Sequence, residues 1–259
     1  MTDKQNHLKP SPQHQLLQEQ LAELKLSQIA ELYAQVLDDA ARKNSSAFEV
    51  LSALIGAEIT ARHERALQRR IREARLPPRK TVEEFDFSFP KRIPKQKILR
   101  LCDCEFVTQH GCAVLIGPTG TGKTHFLTVL GYAACERRLT VRFTRVVDML
   151  NELTTAQING TLRKALRPYT RPDLLLLDEL GYLPIDKRGA DLMFQVVAAR
   201  YERGSTVVTT NRAFREWGKT FDQDNTLATA MIDRLMHHGE PVTIDGKSYR
   251  LKDQLPDGS

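Results

Sequence analysis

The residues best suited to chemistry begin at Gly117-Pro118-Thr119-Gly120-Thr121-Gly122-Lys123-Thr124, which satisfies the pattern G-x-x-x-x-G-K-[ST]. Glycines at this spacing let backbone N–H groups curl around phosphate oxygens without side-chain clash. Lys123 is placed to reach the β- and γ-phosphates of ATP, and the Thr124 hydroxyl to ligate Mg2+. Four fixed positions match by chance in on the order of one chain in a hundred of this length. Context lowers that further, because the pattern follows an apolar run and opens a helical one. A phosphate cradle at a helix N-terminus needs that order.

A second feature is the run Leu174-Leu-Leu-Leu ending in Asp178-Glu179. An unbroken apolar run suits a strand buried on both faces of a sheet. An Asp-Glu pair at a strand end is common and says little alone. About fifty residues after a phosphate loop, it predicts Asp178 beside the magnesium and Glu179 placed to orient or polarise an attacking water. The pair also argues against a kinase of small substrates, which activates no water. A third run, Thr206–Thr210, leads into Asn211. Asparagine there is ordinarily a turn residue; beside a nucleotide it also reads as a polar sensor of the γ-phosphate.

These residues need a scaffold, and the rest of the chain supplies one. From Ala113 onward, short apolar runs (Ala113–Ile116, Val141–Thr144, Leu174–Leu177, Thr206–Thr210) alternate with helical patterns, the signature of a parallel sheet flanked by helices. Val242-Thr-Ile-Asp245-Gly246-Lys-Ser-Tyr-Arg-Leu251 predicts a hairpin with a type I′ turn. Residues 1–15 are polar and lack periodicity, which predicts a disordered lead-in. Residues 16–76 predict a small all-α domain. Leu17, Leu21, Ile29, Tyr33 and Val36 fall at helical spacing, and Ser46 with Glu49 forms a capping box at a new helix start. Leu76-Pro-Pro ends that domain. Residues 77–95 read as a linker, with Phe85-Asp-Phe87-Ser-Phe89 extended and docked on a domain surface. The α/β nucleotide domain then occupies 96–259.

The 259 residues carry a net charge of +6, with charged residues at 27% and aromatics at 7%. Basic residues concentrate between Arg62 and Lys80. Arg62, Arg65, Arg69 and Arg72 recur every three or four residues and share one helix face. Such a face is ordinarily solvated; four arginines with no carboxylate among them also fit contact with phosphates. No aromatic residue interrupts the stripe, so base stacking is not advertised. No apolar run of membrane-spanning length is present, and Met1–His7 lacks the layout of a secretory signal. Four cysteines, with Cys102 and Cys104 one residue apart, fit neither a zinc knuckle nor a redox pair and predict reduced thiols in the cytoplasm. No acidic or cysteine ligand set accompanies His237-His238 in the sequence, so no metal is assigned there.

The order of motifs resembles the AAA+ class of P-loop ATPases in its branch of helicase loaders and replication initiators, and more closely the IstB-like transposition helper ATPases of insertion sequences. The likeness runs through Gly122-Lys-Thr-His125, Leu177-Asp-Glu-Leu-Gly-Tyr182, Arg200-Tyr-Glu202, Thr210-Asn211, Phe214-Arg-Glu-Trp217, Ile232-Asp-Arg-Leu235 and Ser248-Tyr-Arg-Leu251. It implies an AAA+ domain preceded by the helical module, and it extends the ATP-binding stretch to His125. It implies that Arg234, otherwise a helix-surface salt-bridge residue, is an arginine finger reaching a neighbouring subunit's ATP, and that Arg250 is a second sensor. It further implies a homo-oligomer on double-stranded DNA with a cognate transposase as partner. Arg163 and Lys164 join the four arginines as DNA contacts. A helicase loader and a non-hydrolysing ATP-dependent DNA scaffold are the alternatives; Glu179 speaks against the scaffold.

Overall fold

The structure, a computed structural model, describes residues 12–89 and 92–249, which form two compact units dividing between Gln68 and Arg69. The first unit is helical. It contains α1 (Pro12–Glu23), α2 (Ser27–Lys43) and most of α3 (Ala47–Ala74). The helical spacing from Leu16 to Ala40 is therefore two helices, parted where Lys25 adopts a left-handed backbone (φ 55°). Residues 12–15, expected to be disordered, already belong to α1; residues 1–11 lie outside the described residues. The capping box forms as predicted: the Ser46 N–H donates to Glu49 Oε2 at 2.7 Å, and the Glu49 N–H donates to Ser46 Oγ at 3.3 Å.

One carboxylate organises this unit. Glu58, 3% exposed, accepts from the N–H groups of Gln28 and Ile29 at 2.8 and 3.2 Å, which caps the first turn of α2. It also pairs with Arg62 and Arg65, each at 3.0 Å. Arg62 reaches on to the Lys25 carbonyl and Arg65 to Ser27 Oγ. Burial opposes ionisation of Glu58, but the bonds from Arg62, Gln28 and Ile29 outweigh it and hold the carboxyl below its ordinary pKa. The basic stripe is thus not without a carboxylate, and half of it fastens α3 to the start of α2. Each of these two arginine side chains still leaves about half its surface in solvent.

The second unit begins eight residues before the predicted boundary at 76/77. The last turns of α3 belong to it: Arg70 Nε donates to the Cys135 carbonyl at 3.1 Å, and Ala74 is fully buried. In this unit α4 (Lys95–Cys102) and α5 (Glu105–Thr108) precede β1 (Cys112–Ile116), α6 (Lys123–Glu136) and β2 (Val141–Arg145). Then come α7 (Val146–Ile158), the single-turn α8 (Leu162–Ala165) and α9 (Arg167–Thr170), and β3 (Leu174–Leu180). Next are α10 (Lys187–Arg200), β4 (Ser205–Thr210), a 3-10 turn (Phe214–Glu216), α11 (Trp217–Thr220), α12 (Asn225–Met236) and β5 (Gly239–Thr243). No helix among the described residues is long and apolar enough to cross a membrane.

The five strands form one parallel sheet in the order β2-β3-β4-β1-β5. All four predicted strands are present. Leu174–Leu177 are fully buried, as an unbroken apolar run in a central strand requires. The predicted hairpin does not form within the described residues. Val242 instead pairs with Leu115 in a strand parallel to β1, Asp245 makes an antiparallel bridge to Arg92, and the Tyr249 N–H donates to the Gly120 carbonyl. The alternating pattern was real; its partner was a distant strand rather than the residues beyond Gly246. The Phe85–Phe89 segment does dock, as expected, but through turns rather than extended backbone, and Lys95 already starts α4.

Candidate functional site

Because β4 lies between β1 and β3, the C-terminal ends of all three strands converge at one edge of the sheet. Open parallel sheets bind ligands at this edge. The P-loop leaves β1 there, Asp178 and Glu179 end β3, and Thr209–Asn211 end β4. They surround a cavity of ≈ 470 Å3 lined by Thr119, Gly120, Gly122, Lys123, Thr124, His125, Asp178, Glu179 and Asn211. Those predicted residues are therefore brought together. Gly117, Pro118 and Thr121 shape the loop itself. Lys123 Nζ donates to the carbonyls of Gly117 and Pro118, both at 2.7 Å, and Thr121 Oγ1 donates to Pro118 O at 2.9 Å. Arg250 lies outside the described residues.

Two glycines are dictated by this geometry. Gly120 (φ 82°) and Gly122 (φ 89°) occupy left-handed backbone, and a Cβ would strike Ser248 at the first and the Phe85 ring at the second. Gly122 also opens α6, whose N-terminus borders the cavity as an anion site. Phe85 packs on Phe126 (centroids 4.3 Å apart), and His125 Nε2 meets the Thr81 carbonyl at 2.7 Å, so the connecting segment is anchored on the phosphate loop's own helix.

The acidic pair owes its placement to a bulge. Leu177 pairs with Val208 and Leu180 with Thr210, so β3 holds one residue more than β4 across this stretch. Glu179 absorbs the excess with a left-handed backbone (φ 63°), which is costly for a side-chain-bearing residue. As a result Asp178 stays inside, 3% exposed, while Glu179 turns outward into the cavity. Thr124 Oγ1 donates to Asp178 Oδ2 at 2.9 Å. Thr209, 1% exposed, donates to Asp178 Oδ1 and accepts from the Glu179 N–H at 2.9 Å. A buried carboxylate met by two hydroxyls is a donor set suited to a hard divalent cation.

Sequence reasoning missed Thr209, Arg145, Phe85 and Tyr249, all of which line the cavity. Arg145 ends β2 in register with Asp178. Its guanidinium is held charged first by its hydrogen bonds to Asp148 (2.8 and 3.0 Å) and, more weakly, by Glu179 and Asp178. No local motif marks these residues; only strand order reveals them. Thr209 yields a test. Thr209→Val keeps the shape but removes a bond to a charged group and leaves the Glu179 N–H without its partner, a loss of about 1.5–3 kcal/mol. If that loss falls on the reacting geometry, turnover drops roughly tenfold to a hundredfold while ATP affinity is retained and Thr209→Ser restores the rate. Steady-state kinetics beside nucleotide titration decide it; an unchanged kcat in Thr209→Val removes this role.

Other predicted residues lie elsewhere. Arg234 is half-buried on α12, with its guanidinium 4.8 Å from the Phe194 ring centroid and Nη1 donating to Ala230 O at 2.9 Å. It does not line the ≈ 470 Å3 cavity of its own chain. Arg69, Arg72, Arg163 and Lys164 are exposed, and none has an ion-pair partner among the described residues. The four cysteines are free thiols, and burial pushes Cys102, Cys104 and Cys135 up to about 11, leaving them protonated and unreactive at neutral pH. His237 and His238 do acquire an acidic neighbour, Glu202, which the fold brings from the end of α10; the expectation of none is corrected.

The sequence model of a family described as IstB-like ATP binding protein matches residues 19–256. The ATP-binding protein of insertion sequence IS232 from Bacillus thuringiensis subsp. berliner is 41% identical over 93% of this chain and 96% of its own length. That of IS5376 from Geobacillus stearothermophilus is 37% identical over 89% of this chain and 92% of its own. Among solved structures, AMPPCP-bound DnaA from Aquifex aeolicus superposes with a TM-score of 0.56 at 22% identity, over 71% of this chain and 58% of that one. The DnaC helicase loader gives 0.53 at 20% identity, over 64% of this chain and 96% of that one. These structural likenesses share the AAA+ fold.

Proposed function

Because the chain belongs to the IstB-like ATP-binding family of insertion-sequence proteins, we propose that it is an ATP-hydrolysing helper of DNA transposition that assembles on duplex DNA and engages a partner transposase in the cytoplasm. The observation that carries hydrolysis, as distinct from ATP binding, is the bulge in β3. It holds Asp178 buried against Thr124 and turns Glu179 into the same cavity as Lys123. In this reading Thr124 and Asp178 hold Mg2+, which offsets phosphate charge when bound. Lys123 and the N–H groups at Gly120–Lys123 bind the phosphates, Asn211 senses the γ-phosphate, and Glu179 takes the proton of the attacking water. Arg250 is retained as a second sensor.

Arg234 completes the site in trans. Its absence from its own chain's cavity and its place near the exposed end of α12 support that role. Cis-lacking sites that gain such an arginine rise by roughly 10³–10⁵ in rate in related phosphoryl-transfer enzymes.

For DNA we propose Arg62, Arg65, Arg69, Arg72, Arg163 and Lys164, making sequence-independent phosphate contacts. Arg62 and Arg65 must loosen their bonds to Glu58 to do so, whereas Arg69, Arg72, Arg163 and Lys164 need break no ion pair. The expected result is that converting those last four to Ala lowers the slope of log affinity against log salt by up to about 0.9 per lost contact. Affinities for one duplex measured across a salt series check this, and an unchanged slope rejects the four as contacts.

The deciding experiment for the function is ATP turnover with and without duplex DNA, beside electron microscopy of the same mixtures. Duplex stimulation with ATP-dependent assemblies is the expected outcome. Stimulation by single strands or by a helicase instead transfers the protein to the loaders.

A further inference from the structure

We propose that Glu202, His237 and His238 form a binding site for a divalent transition-metal ion of the Zn2+ class, at a place separate from the nucleotide cavity. The three come from two segments 35 residues apart in the chain. Glu202 sits in the turn that follows α10, held in left-handed backbone (φ 57°), and the two histidines close α12. One ring nitrogen from each histidine and one carboxylate oxygen all lie within 4.8 Å of one another. Zinc ligands bind at about 2.0–2.2 Å, so neighbouring donor atoms around a tetrahedral ion stand a little over 3 Å apart. All three side chains are exposed, so rotamer adjustment alone can close that difference without moving backbone.

A second observation supports the same use. Tyr201 Oη stands 3.0 Å from His237 Nδ1. With Nδ1–H donating to that hydroxyl, the Nε2 lone pair is left for a metal, and metal-bound imidazoles ordinarily carry such an outer hydrogen bond. The rings of His237 and His238 lie side by side, with centroids 4.2 Å apart.

The donor set selects the ion. Two imidazoles and one carboxylate suit Zn2+, Co2+ or Ni2+, whereas Mg2+ and Ca2+ demand oxygen ligands. Glu202 and His238 also border a narrow cleft of ≈ 10 Å3. Two cations, Arg200 and Arg234, line the same cleft. Arg200's charge is spent on carbonyls and a hydroxyl, and Arg234's lies over the Phe194 ring, so neither pairs with Glu202. Three protein ligands leave a fourth position for water. An ion there ties the turn after α10 to the end of α12, three residues from Arg234.

The test uses the full chain without a histidine tag, stripped of metal by a chelator and held in excess Mg2+. Titration with Co2+ is followed by the visible absorption of tetrahedral cobalt, then with Zn2+ by displacement. One equivalent is expected to bind. His237→Ala, His238→Ala and Glu202→Gln should each weaken binding at least about tenfold, and Tyr201→Phe about as much by releasing the ring. Because these positions are exposed, unchanged thermal unfolding in metal-free buffer confirms that the variants fold. Absence of a Co2+ spectrum overturns the site. So does binding that survives the His237→Ala/His238→Ala double variant, or binding lost instead on Cys102→Ser with Cys104→Ser. ATP binding is measured in parallel, and its loss in no way substitutes for the metal readout.

Discussion

Replacing Glu179 with Gln is expected to lower ATP turnover by on the order of 10²–10⁴-fold while ATP affinity changes little. The substitution keeps side-chain length and leaves the backbone of the bulge intact, including the N–H that donates to Thr209. What it removes is the carboxylate that can accept a proton. Lys123, Thr124 and the loop N–H groups, to which the proposed function assigns nucleotide binding, are untouched. Single-turnover hydrolysis beside equilibrium nucleotide titration separates the two quantities. The variant should also trap ATP-dependent assemblies on DNA, because binding persists without hydrolysis. Wild-type turnover in Glu179→Gln withdraws the catalytic role and leaves the protein an ATP-dependent scaffold. Loss of ATP binding together with turnover shows instead that the bulge itself collapsed.

The second large effect concerns stability. Arg200 is 1% exposed, and among the described residues its guanidinium hydrogen-bonds to no carboxylate. Its guanidinium donates to Thr206 Oγ1 and to the carbonyls of Tyr169, Pro172, Asp173 and Ser205. Burial pulls its pKa down to about 10, so it remains charged at neutral pH. Arg200→Met fills much of the volume but strands four carbonyls that no second substitution can remove. Replacing a whole buried ion pair by apolar groups is often neutral, whereas removing one partner costs about 3–5 kcal/mol; this case resembles the latter. At roughly 2–4 °C per kcal/mol for a domain of this size, the melting temperature should fall by about 10 °C. Calorimetry measures it directly. A fall of less than about 3 °C would show that water replaces the guanidinium among the carbonyls.

Arg200 also shows where reading the sequence stops. In the sequence it is one letter of a family-like motif, with no hint that it is a structural cation joining the α9–β3 connection to the start of β4. The P-loop, Asp178 and Glu179 were legible because their chemistry is tied to local spacing and to a strand before or after. Thr209 was not, since its role depends on β4 lying between β1 and β3, a fact of topology rather than of spacing. The arginine stripe was read correctly as one exposed face of a helix, but Glu58 lies one turn before it and looked like an ordinary helix residue. The hairpin failed for the converse reason: Asp245-Gly246 carries strong turn chemistry, and a long-range parallel pairing overrode it. Glu202 and the two histidines are 35 residues apart, beyond what any window on the sequence can join.

The strand order also governs how the molecule can be made. β1 carries the phosphate loop, yet both of its neighbours arrive late: β4 begins at Ser205 and β5 at Gly239. A chain emerging from the ribosome therefore holds β1 with both edges open until Ser205 has been synthesised, and with one edge open until Gly239. Such non-local closure slows folding, and unpaired edges invite intermolecular pairing. The cavity around the phosphate loop is thus among the last features to be assembled, and a message cut short before Gly239 is expected to yield an aggregation-prone fragment rather than a weaker nucleotide binder.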